Sequence, residues 1–504
     1  MEIAFREERI RFLTEKICDD ISQEQTAEMT IPEDRPAISR IVDCFGTVTV
    51  QNRTAADGSV TVSGGIQAGV LYIPEGGEGP ERVDVYLPFT VNKKLPVPED
   101  TTVFYWGWLK SIDARFINSR KLLVRANLGS ELTMLSPAEL ILKQPEDGIP
   151  GLQCKQRTYR MLLPLYAAEK EIQIADEILM PDQEHGADRL LKWTCSAAVD
   201  ESRVVGGKAV FKGSVRIRVL YASEDGCLSC WEGSVPYSQY AELGAEADDG
   251  VVTVQPIFRN IEIDTDGQID SKRLLVNLTL TAQVLVRGEV PLTMTEDAYY
   301  LNGSFTPQWE VPDLSPCLDI VQQDLEFSSQ LPDGKGRILD WSLFPDRVRR
   351  SQTDERGSTM DLRGSILYYD ADEHLQSMQV KESLQFGPIA AEEAEQRCLL
   401  IRPDPAQVNG TQLRLPVRTE VMFLQRAANR YLSGGTVQPQ RQEEGATLIV
   451  KRASGDLWDL AKECKSTVSA MQLANELDCD TIPEERLVLI PVGRAVIGNG
   501  EDGV

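Results

Sequence analysis

Metal or redox chemistry in this chain would have to start from His185, His374 and one Cys-x-x-Cys pair, Cys227 and Cys230. A zinc site closes with four ligands, so that pair needs a second pair or nearby histidines. A thioredoxin-type dithiol needs its cysteines at a helix start that follows a strand. Cys227 instead follows the turn residues Glu224-Asp225-Gly226 inside an alternating β pattern, so the pair reads as two cysteines in a hairpin. His185 falls in a loop between Pro181-Asp182 and Gly186, and His374 closes the hairpin turn Asp370 to Glu373; both read as surface residues. Gly334-Lys335-Gly336 lacks the G-x-x-x-x-G-K-S/T of a phosphate loop and reads as a turn. The carboxylates show no helical i, i+3 or i, i+4 pairing with each other or with His that would mark a metal or glycosidase pair. No catalytic residue, metal site or cofactor is therefore expected, and the chain reads as a non-enzyme.

The densest aromatic stretch is Phe104-Tyr105-Trp106-Gly107-Trp108, expected to be a strand with alternate rings buried. An outward ring there, Trp106 or Trp108, is a candidate protein-contact anchor, because Trp and Tyr dominate interface hot spots. A net charge of −26 over 504 residues argues against a nucleic-acid partner, since a polyanion repels one of the same sign. No stretch reaches the length of a transmembrane span, and the charged start MEIAFREERIRFLTEK has no apolar export core. The ten cysteines are scattered, which suits a reducing cytosol better than a disulfide framework.

The elements that must hold these residues follow from self-similarity. VTVSGGIQAGVLYI (60–73) and AVFKGSVRIRVLYA (209–222) each place a glycine, Gly64 or Gly213, ahead of a tyrosine, Tyr72 or Tyr221. STMDLRGSILYYDAD (358–372) repeats the ending at Leu367-Tyr368, with Met360 at the glycine position. RKLLVRANL and KRLLVNLTL recur in step, as do Ile31-Pro32-Glu33, Met180-Pro181-Asp182 and Leu331-Pro332-Asp333, all at a period of about 150 residues. The alternation within each copy predicts antiparallel, sandwich-like sheets. The expected organisation is three mainly β modules at 1–145, 146–302 and 303–432, the third divergent, with a helix over Phe5 to Asp20 opening the first. Next come a Gly/Gln/Pro-rich linker at 433–445, a compact unit at 446–492 and a tail at 493–504. The compact unit reads β-α-α-β: a strand at Leu448 to Lys451, a helix carrying Trp458, a second helix capped at Lys465-Ser466, and a strand Leu487 to Pro491. Trp458 reads as a core anchor.

Ser454-Gly455-Asp456-Leu457-Trp458, Asn475 and the closing Leu487-Val488-Leu489-Ile490-Pro491 resemble a LysM module. The family's Thr between Asp and Leu is missing here, so the loop is one residue short or the Gly-Asp pair has shifted. The resemblance implies a groove for N-acetylglucosamine polymers between Ser454, Gly455, Asp456, Leu457 on one side and Asp480, Thr481, Ile482, Pro483 on the other. Ile38-Ser39-Arg40-Ile41-Val42-Asp43, Gly64 with Val70-Leu71-Tyr72, Leu87-Pro88-Phe89 and Leu122-Leu123-Val124 resemble the SPOCS domain of spore-forming bacteria. SPOCS modules followed by one LysM are similar in order to the spore-coat morphogenetic proteins of clostridia. That likeness implies a scaffold in the mother-cell cytoplasm, at the forespore surface, bound to the coat's basement-layer morphogenetic ATPase. The alternatives are a peptidoglycan-binding protein acting through LysM and a wall hydrolase, which would need a catalytic domain within 1–432.

Overall fold

The computed structural model describes residues 2–492 apart from 57, 78, 147–148, 181–185, 245–248, 267–271, 313–316, 331–336, 351–357, 387–393, 404–406, 410–411, 426–429 and 441–446. His185, Gly334-Lys335-Gly336 and the 493–504 tail lie outside the described residues.

The alternating sequences become long, paired strands. β1 (Phe5–Thr30), β2 (Ile38–Ala56), β3 (Ser59–Pro74), β4 (Glu81–Lys94), β5 (Thr102–Asn118) and β6 (Lys121–Pro145) form two antiparallel sheets, ordered β2-β3-β4 and β1-β6-β5. On β4, Val83, Val85, Leu87, Phe89 and Val91 point inward, while Asp84, Tyr86, Pro88 and Thr90 point to solvent. The inward row meets Val60, Val62 and Ile66 of its own sheet and Tyr105, Leu122, Val124 and Leu128 of the other, which is sandwich packing.

Next come β7 (Leu152–Leu179), β8 (Arg189–Val205), β9 (Lys208–Ala222), β10 (Leu228–Glu242), β11 (Val251–Thr265) and β12 (Arg273–Tyr300). They form a meander, β10-β9-β8, and a long-strand sheet, β11-β12-β7, around a second core. After β13 (Gly303–Glu310), a third set follows: β14 (Cys317–Gln330), β15 (Ile338–Arg350), β16 (Ser358–Tyr369), β17 (Leu375–Phe386), β18 (Ala394–Pro403), β19 (Gln407–Asn409) and β20 (Gln412–Gln425). Its meander is β15-β16-β17, and β14-β20-β18 continues the second unit's sheet through a β7–β14 pairing at Leu162 and Cys317. A third core gathers Trp341, Met360, Ile366 and Tyr368.

The marker residues have packing reasons. Tyr72 and Tyr221 are fully buried, and Tyr368 nearly so. Gly64 faces Phe89 across β3–β4, and Gly213 faces Tyr237 across β9–β10. A Cβ on Gly64 would lie 2.2 Å from the Thr49 carbonyl oxygen and 2.8 Å from the Phe89 ring. On Gly213 it would lie 2.1 Å from the Ala198 carbonyl oxygen and 2.6 Å from the Tyr237 hydroxyl. In the third meander Met360 occupies that position and Leu384 stands opposite. Glycine and aromatic partner are thus lost together, as a ring lying flat over a strand requires.

Three expectations are corrected. Residues 5–20 are not helical. They belong to β1, which pairs with β6 along its length, and cross-strand packing overrides the local helical reading. Phe12 and Ile21 point into the protein, while Arg9 and Glu139 pair across the surface. Residues 433–439 are not a linker. They belong to β21 (Tyr431–Pro439), which pairs with β13. Its Gly434 and Gly435 lie beneath Gln308 and Phe305, where a Cβ would come within 2.5 Å and 2.4 Å of those side chains. The glycines serve close strand approach, with Leu432 and Val437 buried beside them. Lys465-Ser466 is not a helix N-cap. Lys465 ends the preceding helix in the left-handed conformation, at φ 55°, and Thr467 caps the next by accepting a bond from the Ala470 amide.

The C-terminal unit is β22 (Leu448–Asp456), α1 (Leu457–Cys464), α2 (Val468–Asn475) and β23 (Thr481–Pro491). Leu457, Trp458, Ala461, Met471, Val488 and Ile490 make its core, and Tyr299 and Leu301 from the end of β12 join it. No helix is long and apolar enough to cross a membrane, among the described residues.

Candidate interaction site

Two places combine unusual chemistry with contacts between units. The first is where the three meanders meet. β2, β8 and β15 deliver Asp43, Lys192 and Asp340 to one point. The Lys192 ammonium lies 2.8 Å from a carboxylate oxygen of each, and Arg218 Nε lies 2.8 Å from the other oxygen of Asp340. The Ser365 hydroxyl donates to Asp43. Lys192, Asp43 and Asp340 are all within 2% of complete burial. Two cations offset two anions, which is the condition for keeping such a cluster in a low-dielectric interior. Burial by itself lowers the Lys192 pKa, but Asp340 and Asp43 outweigh it and hold the ammonium above its ordinary value. Burial raises Asp340, while Lys192 and Arg218 more than reverse this and hold it below the usual carboxylate range. Val42, Leu71, Leu191, Leu220, Leu367 and Leu375 pack together as an apolar cluster drawn from all three meanders.

Beside this cluster lies a cavity of about 350 Å³, lined from all three units. Trp106 and Trp108 of β5 stand on its wall with ring centroids 4.7 Å apart. The Trp108 indole donates to Asp346 at 2.9 Å, tying β5 to the segment after Trp341. Trp341 is on the wall too, with the Arg218 guanidinium 3.8 Å from its ring centroid. Both Phe104 and Tyr105 are buried, so burial here does not alternate. Tyr105 fills the first sandwich, and Phe104 packs on Leu285 of the second unit, which covers the strand's other face.

The second place is the C-terminal unit. The two stretches expected to flank a groove do come together. Gly455 pairs with Ile482 and Asp456 with Thr481, and the Leu457 amide donates to the Asp480 carbonyl at 2.8 Å. Leu457 and Ile482 are buried in the core, whereas Ser454, Gly455, Asp456, Asp480, Thr481 and Pro483 are exposed. Asp456 is committed twice: it caps α1 through the Trp458 amide at 2.8 Å and pairs with Lys155 of β7 at 2.9 Å. A clamp lies next to it. Asp297 of β12 accepts from the Trp458 indole at 2.8 Å and from Lys462 at 2.7 Å. Tyr299 packs edge-on to Trp458 and donates to the Ser466 carbonyl at 2.6 Å. Trp458 is thus a core anchor and an interdomain contact at once. The unit's outer sheet face is apolar: Val450 stands opposite Leu489 and Arg452 opposite Leu487, and Leu448, Val450 and Leu487 are each at least half exposed.

The remaining candidates are quiet. Cys227 is exposed in a turn held by Asp225, and Cys230 sits on β10, its thiol pushed up by burial. Asp370, Asp372 and His374 cluster on the β16–β17 turn, where Asp370 accepts from the backbone amides of the other two, as turn residues do. The sequence reading missed the role of Asp43, Lys192 and Asp340. Their signal was a charged residue recurring about every 150 residues, each within an otherwise apolar strand.

Residues 186–266, which span β8 to β11 of the second unit, match the family described as "SipL, SPOCS domain". No curated protein matches the chain. No solved structure matches it either.

Proposed function

We propose that the chain is a non-enzymatic scaffold of spore-envelope assembly, with three SPOCS-like modules packed together and a LysM-like unit docked at one end. The family match over 186–266 supports a sporulation-related, protein-binding role. The finer reading assigns the C-terminal unit to a SpoIVA-type coat morphogenetic ATPase at the forespore surface, in the mother-cell cytoplasm. The observation that carries this is the outer face of β22 and β23. Leu448, Val450, Leu487 and Leu489 lie side by side there, 39–61% exposed. An apolar sheet face of this kind suits a protein partner.

The test is a pulldown of that ATPase with the full chain and with Val450→Glu and Leu487→Glu, which alter the outer face and leave the unit's core alone. Loss of capture with unchanged thermal unfolding supports the assignment. Capture unaffected by either charge removes the face from the interface. Retention on purified cell wall that persists in both variants would favour the glycan-binding alternative.

A further inference from the structure

The scaffold reading leaves the junction cavity unused. We propose that it is a binding site for a small neutral saccharide of one or two rings.

The walls set the ligand's shape. Trp106 and Trp108 line one space of about 350 Å³, with the nearly buried Trp341 and Phe45 behind them. That is at the small end of ligand cavities, too small for a polymer chain to thread. Flat aromatic walls favour a ligand with at least one flat, C–H-rich face.

Charge narrows the class. The Arg218 guanidinium is already paired with Asp340 and stacked on Trp341, so it offers an anion little. The chain's net charge of −26 opposes an anionic ligand further. A cation would face Arg216 and Arg218 on the same wall, with Glu232 alone to set against them among the described lining residues. A neutral ligand meets neither penalty.

Polarity then separates sugars from purely apolar rings. Thr47, Thr194 and Ser196, each carrying a hydroxyl, are among the lining residues. Ser342, also on the wall and only 2% exposed, has a hydroxyl that meets no hydrogen-bond partner among the described residues. A buried hydroxyl left unpaired is unfavourable, so a ligand with a hydroxyl that can meet it once the Ser342 side chain turns toward the cavity is favoured over a purely apolar one. Aromatic faces with scattered hydroxyls are complementary to a pyranose, which has an apolar face and an equatorial rim of hydroxyls. The site needs all three units, because Trp106, Thr194 and Ser342 come from β5, β8 and β15. A bound sugar would therefore favour the assembled junction over a separated one.

The test titrates the full chain with glucose, galactose, N-acetylglucosamine, cellobiose, lactose and chitobiose into the millimolar range, read by tryptophan fluorescence and saturation-transfer NMR. At least one sugar should quench fluorescence and receive saturation transfer. Trp106→Ala should weaken that binding at least tenfold, and Ser342→Ala severalfold. Ser196→Trp, a change at an exposed rim position that leaves the core untouched, should block entry with unchanged thermal unfolding. The proposal is overturned if no sugar binds, or if binding survives both Trp106→Ala and Ser196→Trp, which would place the sugar elsewhere, as on the C-terminal unit. Either failure leaves the scaffold reading standing, since that is read by capture of a protein.

Discussion

Replacing Lys192 with Met removes the ammonium that Asp43 and Asp340 share, in a place where water cannot take over. Lys192 is 1% exposed, and its partners are no more than 2% exposed. Breaking a buried pair by deleting one member costs about 3–5 kcal/mol, mostly from the charge left behind. Here the remainder is identifiable. Arg218 still neutralises Asp340 at 2.8 Å, so the orphaned charge is that of Asp43, left with the Ser365 hydroxyl. For a unit of this size about 1 kcal/mol moves Tm by roughly 2–4 °C, so the single change should lower the main transition by about 10 °C. Adding Asp43→Asn removes the orphan and leaves Asp340 and Arg218 balanced. The double variant should therefore recover about half of the loss or more, a coupling that a double-mutant cycle measures directly. Calorimetry and urea unfolding followed by near-UV circular dichroism are the assays. A loss below about 1 kcal/mol would put the cluster in the class of hydrated surface pairs and refute the argument. So would a double variant whose loss equals the sum of the two singles.

The same cluster fixes a pH dependence. Asp340 is held low, so its contribution is present above the unfolded carboxylate value of about 3.9 and disappears as pH falls below it. Lys192 is held high, so its contribution is present below about 10.4 and disappears as pH rises through the folded value. Thermal unfolding against pH should show a plateau from about pH 5 to about 8, above which thiols kept protonated by burial, Cys195 and Cys230 among them, add a loss of their own; a slope near neutrality would contradict the assignment. Gly213→Ala should destabilise by about 2 kcal/mol or more, because its Cβ would meet both the Ala198 carbonyl oxygen and the Tyr237 hydroxyl, and adding Tyr237→Leu should relieve only the second clash and recover part of the loss; a loss unchanged by Tyr237→Leu would disprove the glycine–aromatic coupling. Asp297→Ala should loosen the C-terminal unit, raising amide exchange in α1 while the sandwich cores keep their protection; an unchanged α1 would show that the clamp holds nothing.

Much of this was legible because it is local. The period marks Tyr72, Tyr221 and Tyr368, turn residues mark the hairpins, and the spacing of Leu457, Trp458, Leu460 and Ala461 marks α1. What failed depends on a partner far away in the chain. β1 carries so many charges that only its pairing with β6 makes it a strand. Gly434 and Gly435 have the composition of a flexible joint until Gln308 and Phe305 are seen lying over them. Asp43, Lys192 and Asp340 read individually as interruptions of apolar strands, and only their meeting gives each a counter-ion. The aromatic run of β5 misleads in the same way, since the second unit covers a face that alternation assigns to solvent.

The pairing of β13 with β21 determines how the molecule answers a mechanical pull. Gly303 faces Pro439 at the end nearest the C-terminal unit, so tension between that unit and β12 opens the ladder rung by rung instead of shearing it whole. Before that can start, the Asp297 contacts to Trp458 and Lys462 must part. Once the eight residues of β13 and the nine of β21 have parted, they release about 55 Å of slack. The anchor point thus behaves as a latch in series with a short ripcord, and the third unit, bracketed between the two strands, bears none of the strain until the cord is spent.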